Sequence, residues 1–202
     1  MASMLVDGLR LPVPVGGHPA IDFCNTRAGW GAASPREYLV DYQHLTVWAR
    51  EADLVQPATA RRLLRRARLD PGAAAAVAGA ALDFRGSLYD VLVGARSPQA
   101  WRHVAAAASA AMAASTLAAP APDGSPARWE LAVDGGLEIA LLAVVTSATG
   151  LLTSPLAATV SACPMPDCGW AFANPSGRRT WCSMAWCGNR AKVRRFAERH
   201  RA

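Results

Sequence analysis

Cys163-Pro164-Met165-Pro166-Asp167-Cys168, followed after thirteen residues by Cys182-Ser183-Met184-Ala185-Trp186-Cys187, is the stretch that decides how this chain is organised. Each half is a Cys-x4-Cys pair, so four of the five cysteines fall within 25 residues. Zinc favours four soft ligands in a tetrahedron, and two short loops can each present two thiolates to one side of an ion. Disulfides are the competing reading. The start MASMLVDGLR has no basic, apolar and small-residue succession of a secretory signal, which points to a reducing cytoplasm where thiols persist. With all four sulfurs bound, no position stays open for water, so one structural zinc ion is expected. Cys24, far upstream beside Phe23, reads as a buried inert thiol.

Outward from the cysteines, Gly169-Trp170-Ala171-Phe172 is expected to be one strand of a hairpin and Arg179-Thr180-Trp181 its partner, with Asn174-Pro175-Ser176-Gly177 turning between them. A helix should run from Gly188 to near His200, with Val193, Phe196 and His200 along one stripe. Forty residues bury too little apolar surface to fold without a staple, which the metal provides.

Charge separates this segment from the rest. Residues 163–202 hold seven Arg and one Lys against Asp167 and Glu198, which accounts for the whole net charge of +6, while the preceding 162 residues balance 13 arginines against 13 acids. A local cationic patch favours a polyanionic partner. No apolar run reaches the ~18 residues of a membrane span, so no membrane role is expected.

The remainder reads as mainly helical. Asp41 caps a helix that ends near Asp53; Pro57 opens a second, in which Arg61, Arg62, Arg65, Arg66 and Arg68 read as a solvated face. A long helix is expected from Asp70 to about Ala95, with Leu82, Arg85, Leu88, Tyr89 and Leu92 inward, and another from Pro98 to about Ser115. Residues 118–126 read as a loop, Arg128 to Val133 as a strand before an Asp134-Gly135-Gly136 turn, and Leu137 to about Leu152 as a buried helix ended by Pro155. The expected class is α+β: a mainly α-helical domain over 1–155 with a small antiparallel sheet, then a zinc-bound hairpin and helix over 160–202.

The run Cys163 to Phe172, then Arg179-Thr180-Trp181-Cys182 through Cys187-Gly188-Asn189-Arg190-Ala191-Lys192, resembles the bacterial CGNR zinc-finger family. His18-Pro19-Ala20-Ile21-Asp22-Phe23-Cys24-Asn25-Thr26, with Trp48 in the Asp41 helix, is similar to the ABATE domain that usually precedes that finger. The resemblance implies a stress-responsive transcription regulator whose finger binds DNA and whose N-terminal domain senses an effector or dimerises. This chain departs from the family at Cys24, which leaves the zinc assignment untouched, and in the 174–177 loop, where the lower basic character weakens any DNA contact expected from that loop.

On that reading Arg178, Arg179, Arg190, Lys192, Arg194, Arg195 and Arg199 are the candidate DNA contacts, most of them to phosphates. Arg190 is also placed to orient the loop beside Cys187. Asp22, Asn25, Arg27 and Trp30 form a compact polar and aromatic cluster: either a network locking the first segment to the core, or a pocket in which Arg27 holds a carboxylate. No Ser-His-acid set, glycine-rich phosphate loop or paired-histidine motif is present, so no enzyme is expected. A zinc-stabilised protein-interaction module is the alternative function, and a small-molecule enzyme a third. A homodimer is expected by analogy with other regulators.

Overall fold

In the computed structural model, residues 3–120, 122–132 and 135–200 are described. The chain opens with a hairpin of β1 (Ser3–Val6) and β2 (Leu9–Pro12), paired Val6 to Leu9 across Asp7 and Gly8. Both turn residues have positive φ, 49° and 79°, the backbone of a two-residue hairpin turn. Helix α1 (Pro19–Cys24) follows, with the short pair β3 (Arg27–Ala28) and β4 (Arg36–Glu37) after it.

The next four helices lie where periodicity and caps put them. They are α2 (Tyr42–Glu51), α3 (Pro57–Leu69), α4 (Pro71–Val93) and α5 (Pro98–Ala113). Asp41, Asp70 and Ser97 each accept a backbone amide of the first turn, filling a donor that the helix itself leaves empty. On α4, Arg85, Leu88 and Leu92 are buried and Leu82 and Tyr89 half-buried, as the spacing predicts.

Strand β5 (Ser115–Ala118), which takes only Ala118 from the expected loop, pairs with β6 (Arg128–Leu131); Val133 and Asp134 of the expected strand and turn lie outside the described residues. Helix α6 (Ile139–Leu152) is the centre of the core. Ala140, Val144, Val145, Ala148 and Leu151 are all buried, and α6 packs on α1, α2 and α5. No helix among the described residues is long and apolar enough to cross a membrane.

A 3-10 turn (Pro155–Thr159) leads into β7 (Val160–Ala162), β8 (Ala171–Ala173), a π-helical turn (Met184–Gly188) and α7 (Asn189–Arg199). One expectation fails here. Strand β8 pairs with β7, upstream of the first cysteine, and not with residues 179–181. The cause is Asn174, whose side chain receives Arg179 N and donates to Arg179 O, both at 2.9 Å. These two bonds close the loop and take the groups that a ladder would need.

Two apolar clusters result. The large one gathers α1–α6 and includes Ala171 of β8. The small one surrounds the cysteines with Met165, Trp170, Phe172 and Ala191, and draws Ala28 and Tyr38 from the N-terminal part. The cysteine segment is thus seated on the helical domain through shared packing.

Candidate metal centre

Cys163, Cys168, Cys182 and Cys187 are buried, unpaired in any disulfide, and their sulfurs lie within 4.8 Å of one another. Cys182 Sγ is 3.6 Å from Cys168 Sγ and 3.5 Å from Cys187 Sγ. A tetrahedron built on Zn–S bonds of ~2.3 Å has sulfurs ~3.8 Å apart, so the cluster has the size the ion requires. The donor set is all thiolate, which suits zinc and gives it a closed, structural site.

The titration of the sulfurs fits this purpose. Hydrogen bonds with the Cys168 and Cys182 thiols pull Cys163 well below an ordinary thiol, and the same contacts with Cys163 drive Cys168 and Cys182 up. Crowded thiols do not ionise together without a counter-charge, and a divalent cation supplies it. Cys24 is different: burial pushes its thiol up to about 12, and it stays an inert core residue.

Around the sulfurs, Arg190 binds Asp167 through both terminal nitrogens, at 2.6 and 3.3 Å, and also reaches Cys187 Sγ at 3.5 Å. It ties α7 to the first cysteine loop, the orienting role expected of it. Its guanidinium in turn holds Asp167 below the usual carboxylate range. Arg179 is more tightly committed. It donates to the carbonyls of Trp181 (3.1 Å), Val15 (2.6 Å) and Cys182, and lies 4.5 Å over the Phe172 ring. A guanidinium with that many internal partners serves the seat of the finger. Arg178, Lys192, Arg194, Arg195 and Arg199 are exposed.

Among the described residues and cavities, the four residues read as a network or a pocket share no cavity; they join the helical domain to the finger. Asn25, fully buried on α1's C-terminal cap, donates to Ala171 O at 2.9 Å and accepts from Ala171 N at 2.8 Å, standing in for a missing β-strand. Asp22 Oδ1 accepts Val15 N and Gly16 N at 2.8 and 2.7 Å; burial raises its pKa while these two bonds oppose the rise. Trp30 donates to Cys24 O at 3.2 Å, stacks on Tyr89 at 3.8 Å and carries Arg27 at 5.0 Å over its ring. Of the four, Asp22 alone borders a described cavity.

Sequence reasoning missed the other half of this joint. Tyr89 OH donates to Gly169 O at 2.7 Å, and Gly29 N to Cys168 O at 2.8 Å. Gly169 has φ 65°, and a Cβ there would lie 2.9 Å from Trp30 Cβ, so glycine is required by both backbone and space. Nothing in the sequence links Tyr89 to Gly169, 80 residues on.

Asn25 gives a direct test of the joint. Asn25→Ala leaves both backbone groups of Ala171 buried without partners, and should lower stability by about 3 kcal/mol. Denaturant unfolding measures this. Release of zinc to a chelator should quicken in parallel.

Comparison with known families agrees with this geometry. The CGNR zinc finger model matches residues 160–200, and the ABATE model, described as "Putative stress-induced transcription regulator", matches residues 17–155. No curated protein matches the chain. With the match to ABATE spanning well over half of its length and the buried four-cysteine site lying inside the finger match, the chain belongs to the ABATE family and carries a CGNR zinc finger.

Proposed function

We propose that the protein is a cytoplasmic transcription regulator that binds duplex DNA through α7, with the helical domain sensing a small effector. The observation that carries this is the way α7 stands out from the body. Ala191 is its one buried residue, and Lys192, Arg194 and Arg195 make no hydrogen bond or close ion pair with any described residue through their side chains. Zinc fixes the base of the helix through Cys187, and Arg190 braces it against Asp167. The major groove is wide enough to admit such a helix, phosphates would take most of these cations, and one or two arginines would read guanine. We assign no catalytic role, because the polar residues around α1 serve the joint.

A second reading rests on the apolar side chains of the same region: Met184, Trp186, Val193 and Phe196 are exposed. They fit a protein partner. The test is binding of the zinc-loaded chain to duplex fragments across salt. Each phosphate contact lowers log affinity by ~0.9 per log unit of salt, so contacts from Arg178, Lys192, Arg194, Arg195 and Arg199 give a slope of about −4.5. Arg194→Glu/Arg195→Glu should weaken binding about a hundredfold and flatten the slope by about two, with zinc retained. A salt-insensitive or unchanged affinity would favour the protein partner.

A further inference from the structure

The strap from Pro12 to His18 has two faces. One holds the finger: Val15 O accepts Arg179 at 2.6 Å and Gly16 O accepts Ala173 N at 2.8 Å. The other borders a cavity of about 270 Å3 between the strap, α1 and the end of α2. Trp48 and Pro14 give the cavity apolar walls, while Asp22, Glu51 and Asp53 bring three carboxylates to it; no Lys or Arg lines it.

His18 adds no positive charge. Its Nδ1 accepts Ala20 N at 3.2 Å, and burial holds its pKa below that of an ordinary imidazole. Glu51 shares an oxygen with Arg50 outside the cavity, at 2.8 Å, whereas Asp53 stands exposed at the rim. An anion entering here meets carboxylates alone, and a neutral ligand leaves them unused. A cation meets both the carboxylates and an indole.

We propose that this cavity binds a small organic cation, an amine or quaternary ammonium on an apolar body, and that its occupancy tightens the grip of the strap on the zinc finger. Asp22 links the two events. It borders the cavity, and its Oδ1 holds the amides of Val15 and Gly16, the two residues whose carbonyls hold the finger. A cation at Asp22 therefore acts on the residue that sets the position of those carbonyls. The inference rests on the sensing role of the helical domain and is independent of DNA binding.

Benzyltrimethylammonium and benzylammonium are suitable probes, titrated into the zinc-loaded full chain and followed by amide NMR, with benzyl alcohol and benzoate as neutral and anionic counterparts. Both cations should shift the amides of Val13, Gly17 and Ala52. The double variant Glu51→Gln/Asp53→Asn should weaken them about tenfold. Asn keeps the positive φ of 58° at position 53 at little cost. At saturation, hydrogen exchange of the Ala173 amide should slow by about threefold.

The site is overturned if neither cation shifts these amides at millimolar concentration, if benzoate or benzyl alcohol binds as well, or if the double variant binds undiminished. Cation binding with unchanged exchange at Ala173 overturns the coupling. DNA binding is read on the same samples, so a chain that takes the cation and ignores DNA refutes the regulator reading and leaves this one standing.

Discussion

Replacing Cys182 by serine should empty the metal site and unfold the finger while the helical core stays intact. Cys182 is the hinge of the cluster, with Cys168 and Cys187 sulfurs on either side of it at 3.6 and 3.5 Å. A serine hydroxyl is a poor substitute for a soft thiolate, and structural zinc contributes on the order of 10 kcal/mol to small domains. Little else would hold the segment: its own buried apolar residues besides the cysteines are Met165, Trp170, Phe172 and Ala191, together with Ala171 on the main core. Zinc content should fall to background and the near-ultraviolet signal of Trp170 should disappear. Most of the helical far-ultraviolet signal should remain, because α2–α6 pack in a cluster that does not depend on the metal. Cys24→Ser, in contrast, should leave zinc content unchanged.

The second large effect lies at Arg85, which is 2 % exposed inside the helical domain. Its Nη1 and Nη2 bind Glu37 side by side at 2.6 and 2.5 Å, Nη1 also reaches Thr26 Oγ1 at 2.9 Å, and Nε is buried without a hydrogen-bond partner. Glu37 in turn accepts the amides of Tyr38 and Leu39, at 3.0 and 2.8 Å. The pair therefore sets the segment that brings Tyr38 into the cysteine cluster. Arg85→Ala should cost about 3 kcal/mol in denaturant unfolding, since it empties a buried site beside Trp30 and removes the bonds to Thr26 and Glu37, although Glu37 is part-exposed and keeps the amides of Tyr38 and Leu39. Arg85→Met should cost clearly less, because it fills the space that alanine leaves empty, while the guanidinium and its bonds are lost in both variants. Equal losses in the two variants would mean that packing around Arg85 is unimportant.

Much of the architecture was legible because local chemistry decided it. Asp41, Asp70 and Pro98 announce helix starts that the structure keeps, and the paired cysteines announce a metal site whose four sulfurs come together. What escaped was decided by contacts between distant segments. Asn25 imitates a strand for Ala171, Tyr89 holds Gly169, and Arg179 reaches Val15. Residue type alone assigned Arg179 to a nucleic-acid surface and Asn25 to a network or a pocket, since an arginine and an asparagine show no partner in sequence. The hairpin was mispaired for a different, local reason. A loop closed by the Asn174 side chain looks, in sequence, like any other turn.

All of these joints converge on one claim: that four thiolates hold a single zinc ion and so fix α7 to the body. Zinc-edge X-ray absorption of protein purified without added metal tests it most directly. One zinc per chain with four sulfur neighbours at ~2.3 Å is the expected result. Substoichiometric metal, or a shell containing nitrogen or oxygen ligands, would contradict it.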